Sequence, residues 1–323
     1  MITSFLKGRQ VHALIASIAL AAFGYLAFSL WGGWQDVLDA FASVGLAGMV
    51  IALALSLVNY GLRFVRWQMY LSALGNAVGH GPSAVIYVAG FALTTTPGKA
   101  GEMLRGVFLE ARGMSFTSST AAFLSERLSD LVAIVLMTLL GVSLYPQGGG
   151  VVIFGVVLVG GGLLLLSRVG LLTKLLARFA NRTSKIARAG HHVLKMLIEA
   201  RRCHTPRLLV LATTLSLIAW SAEAFAFYLI LHWMGFEVSF AFAFSVYALS
   251  MLAGALSFLP GGLGGAEAVM VALLIWADIP EAQAVAATVI IRLTTLWFAV
   301  GLGGITLFSG GRVLRNDVAS VNT

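Results

Sequence analysis

Charged residues are scarce in this sequence. Asp, Glu, Lys and Arg make up only 11% of the 323 residues, whereas 59% are hydrophobic. Soluble globular domains carry about 25% charged residues, so the composition excludes a soluble enzyme or binding domain. The long apolar runs predict an all-α polytopic membrane protein, because a helix satisfies every backbone hydrogen bond within its own segment.

Cysteine is nearly absent, and its single occurrence, Cys203, excludes an internal disulfide. The six histidines show no metal-ligand spacing with cysteine or carboxylates. We therefore expect no metal and no cofactor. The net charge of +8 has the sign that nucleic acids attract, but the cations are grouped by side of the membrane, so we expect no nucleic-acid partner.

Apolar runs of about 20 residues predict helices long enough to cross a bilayer. The first run, 11–30, follows Lys7 and Arg9 and is too long for a signal-peptide core, so we interpret it as an uncleaved transmembrane helix. Five more helices are expected at 45–74, 116–144, 151–166, 208–234 and 281–308. The sequence thus predicts about six full transmembrane helices.

Two further apolar regions are interrupted by proline and glycine. Residues 82–96 are apolar but short, and residues 98–113 are too charged to face lipid. Pro97 and Gly98 lie between these segments, and Pro260 and Gly261 interrupt residues 240–276 in the same way. We predict two broken, re-entrant helix pairs, because irregular backbone at membrane depth is tolerated only inside protein or beside a water-filled cavity.

The cations are distributed asymmetrically. Between residues 168 and 207, ten Lys and Arg stand against one acid, Glu199. In this layout they lie on the same side as Lys7, Arg9 and the basic tail. The positive-inside rule then predicts cytoplasmic N- and C-termini in a bacterial-type cytoplasmic (inner) membrane. Leucines recur at helical spacing between the linker cations, which is typical either of amphipathic helices on an anionic membrane surface or of a solvated linker.

The second half of the sequence repeats features of the first. Residues 55–75 align without gaps on 215–235, and PGKAGE at 97–102 aligns with PGGLGGAE at 260–267. Glu102 and Arg127 then lie 165 residues before Glu267 and Arg292. Because the matching helices cross in opposite directions, we predict inverted-topology repeats, the architecture of secondary transporters. The alternative is a duplication retained for folding alone.

The repeats divide a single membrane domain into five parts. They are an N-terminal helix (1–44), repeat 1 (45–167), the basic linker (168–206), repeat 2 (207–309) and a cytoplasmic tail (310–323).

PGKAGE followed by SER at 125–127, and PGGLGGAE followed by Arg292, resemble the flippase-like transmembrane domain of the lysylphosphatidylglycerol synthase superfamily. In the bacterial multiple peptide resistance factor, this domain precedes a synthetase domain. The resemblance covers about residues 45–304 and implies translocation of lipid between leaflets. The sequence carries no soluble synthetase domain, so we expect no lipid aminoacylation.

Arg127 and Arg292 are the main candidates for binding a phosphate-bearing headgroup. A guanidinium binds phosphate bidentately and keeps its charge. We expect Glu102 and Glu267 to pair with these arginines when substrate is absent, either as structural neutralisation or as coupling groups.

The two breaks supply further candidate contacts. Lys99 adds a point charge beside the first break. The helix N-termini that follow Pro97-Gly98 and Pro260-Gly261 direct free N–H groups toward the same anion.

Three more charged residues belong to the predicted site. Arg63 and Arg66 lie on one helical face toward the predicted cytoplasmic end, either attracting an anionic headgroup to the entrance or snorkelling beside Trp67. Glu223 aligns with Arg63, so a charge is retained with reversed sign. The remaining charges of this region are expected at the cytoplasmic rim, with Glu126 and Asp130 as local partners: Arg105, Glu110 and Arg112.

The leading hypothesis is a flippase or transporter for an anionic phospholipid or a polyprenyl-phosphate-linked (glyco)lipid. Its central cavity would be lined by Arg and Glu from both repeats, with no catalytic residue. The alternatives are a membrane-embedded transferase with Glu102 or Glu267 as general base, and a non-catalytic scaffold for lipid-modifying enzymes. The expected partners are anionic lipid headgroups, with a homodimer or a lipid-modifying enzyme left open.

Overall fold

The computed structural model describes residues 24, 33–76, 78–96, 102–103, 105–142, 149–180, 185–257, 259 and 261–309. Within these residues all regular secondary structure is helical, which confirms the predicted all-α class. The predicted first helix at 11–30 lies outside the described residues, apart from Gly24. Pro97, Gly98, Lys99, Pro260 and the tail at 310–323 also lie outside them.

The first described helix, α1 (Trp34–Ala73), contains a break at Gly45, where φ is 65° and ψ is 172°. Glycine adopts positive φ without a Cβ clash, so the predicted start of a helix at residue 45 coincides with this break. The sequence predicted helices at 11–30 and 45–74 and none between them, so the helical stretch from Trp34 to Val44 was not predicted. Val37, Ala40 and Val44 are buried at helical spacing, whereas Asp39 is exposed and Asp36 is partly exposed, so this stretch is an amphipathic helix.

Both predicted broken pairs contain a break in the helix. In the first half, α2 (His80–Phe91) ends in turns at residues 92–96, and α3 (Arg105–Glu110) follows. The last part of the first broken pair is followed by α4 (Phe116–Val142). In the second half, a glycine turn joins α9 (Phe240–Leu256) to α10 (Gly265–Trp276). Gly261, Gly262 and Gly264 have φ values of 65°, 70° and 88°, so this turn needs glycine.

The basic linker is largely helical. After α5 (Gly149–Ser167), it forms α6 (Val169–Ala180), α7 (Lys185–Ala200) and a 3₁₀ turn at Arg201–His204. Helix α7 packs against α6 and α4, and Leu194, Ala200 and Cys203 are buried. One face of α7 is therefore packed against the protein. Contact of α6 and α7 with a membrane surface stays a prediction.

The second half also contains α8 (Pro206–Trp233), α11 (Glu281–Arg292), a π-helical segment (Leu293–Trp297) and α12 (Phe298–Ser309). Three described helical stretches are long and apolar enough to cross a membrane: Trp34–Ala73, Pro206–Trp233 and Glu281–Leu307. The described residues therefore support a multi-pass membrane protein. The number of six full spans stays a prediction.

Helices α1 and α8, which align in the two halves, make the most extensive helix–helix contact among the described residues. Asn59 donates from Nδ2 to the carbonyl oxygen of Ala219 at 2.9 Å, and these two positions are equivalent in the sequence alignment. One hydrophobic cluster lies among α1, α4 and α8–α11, and a second among α1–α3 and α12. The helices that carry the candidate site residues therefore all pack into these clusters.

Candidate functional site

A cavity of about 280 Å³ lies between the two halves of the chain. Its walls come from α1, α2, α4, α5 and α8–α12 and from the turns after α2 and α9. Six charged residues line it: Arg63, Glu102, Arg127, Asp130, Glu223 and Arg292. Five of these six are sequence-predicted site residues, and Gly261 also lies in the wall. Arg66 and Glu267 do not line the cavity, but each contacts a residue that does.

The carboxylate of Asp130 is the centre of the charge network in the first half. Its Oδ1 lies 2.7 Å from Nη1 of Arg66 and accepts a hydrogen bond from Nε1 of Trp220 at 3.2 Å. Its Oδ2 lies 3.3 Å from Nη2 of Arg63 and 3.2 Å from Nη2 of Arg127. Sequence reasoning assigned Asp130 only as a local partner of rim residues. The signal was its position three residues after Arg127, on the same helical face.

Arg63 and Arg66 are buried, with 6% and 0% of their surface exposed. Arg66 also donates a short hydrogen bond to Oγ of Ser216, and the Arg63 guanidinium lies 5.7 Å from the ring centroid of Trp220. Both sequence interpretations, entrance residues and snorkelling anchors, are therefore wrong for Arg66. Arg63 lines the cavity, and Asp130 supplies the counter-charge that a buried guanidinium needs.

Arg105 is also buried, at 2% exposure, so its predicted position at the rim is wrong. Its Nη2 lies 2.6 Å from Oε2 of Glu102, and its Nη1 lies 3.0 Å from Oε2 of Glu126. The guanidinium also lies 4.7 Å from the ring centroid of Trp67. Glu102 and Glu126 are both buried, and such carboxylates require cationic partners. Arg105 therefore acts as a bridge between α3 and α4.

The turn after α2 contributes a further polar contact. Thr94 donates from Oγ1 to Oε1 of Glu102 at 3.0 Å, whereas Thr96 donates to the carbonyl oxygen of Leu93 at 2.7 Å. The hydroxyl of Thr96 thus satisfies backbone at the break. Thr94 orients a cavity-lining carboxylate instead.

In the second half, Arg292 binds both Glu267 and the glycine turn. Its Nε donates to Oε1 of Glu267 at 2.6 Å, and its Nη2 donates to the carbonyl oxygen of Gly261 at 3.0 Å. Oε2 of Glu267 in turn accepts from the backbone N–H of Gly264 at 2.7 Å. The predicted pairing of glutamate and arginine is thus present here. In the first half it is looser, with Nη2 of Arg127 3.6 Å from Oε2 of Glu102.

Contacts of one half recur at aligned positions of the other. Tyr60 aligns with Trp220, and Thr295 lies 165 residues after Asp130, the offset that relates the two glutamates and the two arginines. Trp220 donates to the carboxylate of Asp130 at 3.2 Å, and Tyr60 donates to the carbonyl oxygen of Thr295 at 2.5 Å. In each half, the aromatic residue at the aligned position therefore donates a hydrogen bond to the equivalent position of the other half.

The formal charges of the first-half network do not balance. Four guanidinium groups stand against three carboxylates among the described residues: Arg63, Arg66, Arg105 and Arg127 against Glu102, Glu126 and Asp130. Within the described part of the chain, Nε and Nη2 of Arg127 have no hydrogen-bond acceptor, although both carboxylates that pair with Arg127 lie nearby. The side chain of Arg127 is 21% exposed. The six charged residues that line the cavity balance as three cations and three anions, so an added anion would be bound through the unpaired donors of Arg127 rather than by an excess of charge.

Glu223, on α8, lines the cavity from the other side and accepts a hydrogen bond from the hydroxyl of Tyr247 at 2.5 Å. Sequence reasoning selected Glu223 but missed Tyr247, because a tyrosine within an apolar helix is not unusual. The cavity thus holds a cationic region on α1 and α4 and a carboxylate on α8.

Comparison with known proteins decides the family. The family model described as "Lysylphosphatidylglycerol synthase TM region" matches residues 14–303. The chain belongs to this family. Among its relatives are two UPF0104 membrane proteins of Methanothermobacter thermautotrophicus, one 23% identical over 91% of this chain and 94% of its own length, the other 24% identical over 89% and 90%. A UPF0104 membrane protein of Pyrococcus horikoshii is 23% identical over 88% of this chain and 93% of its own length.

The resemblance inferred from the two Pro-Gly…Glu motifs is thereby confirmed. As a member of the lysylphosphatidylglycerol synthase TM region family, the chain has a membrane role related to lipids. Its described residues place guanidinium groups from both halves around one cavity. Such a cavity can bind an anionic group inside an otherwise apolar protein.

Proposed function

We propose that this protein moves an anionic lipid between the two leaflets of a membrane, with the headgroup passing through the cavity. The lipid is a phospholipid or a polyprenyl-phosphate-linked (glyco)lipid. The observation that carries the proposal is that Arg127 and Arg292, from opposite halves of the chain, line one cavity with Arg63. Guanidinium groups bind phosphate bidentately and stay charged in a poorly hydrated site.

The size of the cavity supports transport of the headgroup rather than of the whole lipid. Its volume of about 280 Å³ lies just below the range of roughly 300–1,000 Å³ that is usual for small-molecule sites. A phosphate-bearing headgroup fits such a volume, whereas two acyl chains do not. The acyl chains therefore remain in the bilayer while the headgroup crosses.

The recurrence of contacts in the two halves supports alternating access. Tyr60 and Trp220 make their cross-contacts at aligned positions, as expected of two repeats that rock against each other around a central site. The proposed orientation places the N- and C-termini and the basic linker in the cytoplasm, at a bacterial-type inner membrane.

A second candidate function, a membrane-embedded transferase, is favoured by one contact. The hydroxyl of Tyr247 donates to Glu223 at 2.5 Å in the cavity wall, and a hydroxyl on a carboxylate is the arrangement of a nucleophile with its general base. Translocation remains the stronger proposal because the cationic groups come from both halves. A transferase that acts at one face of the membrane would need charged groups at one site only.

A reconstitution experiment tests the proposal. Purified protein is inserted into liposomes with a trace of headgroup-labelled phosphatidylglycerol or polyprenyl phosphate, and the label that becomes accessible from outside is followed over time. Wild type is compared with Arg127→Ala, Arg292→Ala, a matched control Arg202→Ala and empty liposomes. Arg202 is an exposed arginine, with 51% of its side chain accessible, that pairs with Glu199 away from the cavity.

We expect wild type and Arg202→Ala to move the label at the same rate. Arg127→Ala and Arg292→Ala should be slower by about tenfold or more, because a hydrogen bond to a charged group contributes about 1.5–3 kcal/mol. Gel filtration of each variant reports whether it is folded. Equal rates in wild type and empty liposomes contradict the proposal, and a chemically altered lipid at the end of the assay supports the transferase.

A further inference from the structure

Asp130 presents its two carboxylate oxygens to different surroundings. Oδ1 is held inside the protein, 2.7 Å from Arg66 and 3.2 Å from Nε1 of Trp220. Arg66 is fully buried and is not part of the cavity wall. Oδ1 of Asp130 is therefore held in place by Arg66 and Trp220.

Oδ2 faces the two cavity-lining cations of the first half. It lies 3.3 Å from Nη2 of Arg63 and 3.2 Å from Nη2 of Arg127. Charge-assisted N–H···O bonds are usually about 2.7–2.9 Å long, so these two contacts are looser than the contact with Arg66. A second anion that enters the cavity meets the same two guanidinium groups and competes with Oδ2 for them.

Glu102 is the other acid that lines the cavity near Arg127. Its Oε2 lies 2.6 Å from Nη2 of Arg105 but 3.6 Å from Nη2 of Arg127, and its Oε1 accepts from Thr94. Both of its oxygens are therefore committed to other partners. Asp130 is the better placed competitor for the cavity cations.

We propose that Asp130 is a built-in counter-ion that occupies the position of the substrate phosphate in the empty protein and yields Arg63 and Arg127 to it on binding. The inference rests on the proposed function. Buried guanidinium groups need a counter-charge when no substrate is present. A transporter must also release its cargo, so its site has to bind weakly enough for the cargo to leave. Competition from Asp130 serves both requirements.

The test measures anion binding directly. Protein in nanodiscs of zwitterionic lipid is titrated by calorimetry with inorganic phosphate in one arm and with water-soluble dihexanoyl phosphatidylglycerol in the other. Wild type is compared with Asp130→Asn and with Glu126→Gln as the matched control. Glu126 lies one turn earlier on α4, is 0% exposed, pairs with Arg105 and does not line the cavity. Both substitutions remove one negative charge from the same network.

We expect Asp130→Asn to bind the probe roughly tenfold more tightly than wild type, a factor within the usual range for coupled ligands. Glu126→Gln should stay within about twofold of wild type, since its oxygens do not compete for the cavity cations. In the liposome assay Asp130→Asn should be slower than wild type, because the headgroup leaves more slowly. Tighter binding of phosphatidylglycerol alone identifies a lipid headgroup as the ligand, whereas tighter binding of both probes identifies the phosphate group as what is recognised.

A double variant separates competition from net charge and protects against misfolding. Arg66→Gln with Asp130→Asn removes one charge of each sign, so the formal charge of the network stays as in wild type. We expect this variant also to bind the probe more tightly than wild type. Equal affinity of the double variant and wild type, or an equal gain in Glu126→Gln and Asp130→Asn, overturns the inference. Binding is measured without transport, so failure of the flippase assay leaves this result interpretable.

Discussion

Arg292 donates a hydrogen bond from Nε to Oε1 of Glu267 at 2.6 Å, and both side chains are almost fully buried. The two residues lie on different helices, α11 and α10, on either side of the loop at 277–280. Arg292 also binds the carbonyl oxygen of Gly261. One guanidinium thus connects α10, α11 and the glycine turn beside the cavity.

Removal of one partner of this pair should destabilise the protein strongly. Glu267→Gln removes the carboxylate that Arg292 pairs with, and breaking a buried ion pair costs about 3–5 kcal/mol. The free energy of unfolding in mixed micelles with a rising fraction of SDS measures this cost. The exposed pair of Glu199 and Arg202 offers the control Glu199→Gln, expected to cost about 0–1 kcal/mol. A similar small loss for Glu267→Gln would contradict the importance of the pair.

Arg105→Lys should destabilise the protein although the charge is retained. The planar guanidinium reaches Glu102 and Glu126 at once and lies against Trp67, and a lysine ammonium cannot reproduce this geometry. We expect a loss of about 1–3 kcal/mol, the cost of leaving a buried polar partner unsatisfied. Arg112→Lys is the matched control, because Arg112 is only partly buried and donates to the carbonyl oxygen of Phe108. Equal unfolding curves for both variants would show that Arg105 is not the bridge described above.

Gly303 is required where α12 passes the end of α2. A Cβ atom at this position would lie 2.1 Å from the backbone nitrogen of Ala92 and 2.7 Å from the carbonyl carbon of Phe91. Gly303→Ala should therefore lower stability by about 1–3 kcal/mol through overpacking, seen as a lower melting temperature in detergent. Gly301→Ala, which meets no described atom within 4 Å, should be neutral or slightly stabilising. Equal melting temperatures of both variants would disprove the close approach.

Cys203 should be inert toward thiol reagents in the folded protein. It lies in the 3₁₀ turn before α8 with 0% of its surface exposed, and burial raises the pKa of its thiol to about 12. Because the thiolate is the reactive form, labelling by a maleimide at neutral pH should be at least about a hundredfold slower than for an exposed cysteine. Arg202→Cys supplies the exposed control, and SDS should restore labelling of Cys203. Rapid labelling of folded wild type would show that this turn opens.

Much of the helical layout could be predicted from the sequence. The helix starting at 45, the helices near 116–144, 151–166, 208–234 and 281–308 and the two breaks follow from the length of apolar runs and from proline and glycine. The stretch Trp34–Val44 was missed because its tryptophan and two aspartates are also typical of a polar loop. The π-helical segment Leu293–Trp297 was missed because its composition does not differ from that of an α-helix.

The sequence by itself determined the membrane class, the family and the set of charged residues that cannot face lipid. Composition and motif spacing carry that information because a charged side chain is costly in an apolar medium wherever it lies in the sequence. Only the tertiary structure decided which charges pair with which. It placed Arg66, predicted at the entrance or as a snorkelling anchor, and Arg105, predicted at the rim, in the interior. It also made Asp130 the centre of the first-half network. Those pairings depend on distances between helices remote in sequence, since the energy of an ion pair is set by separation and burial.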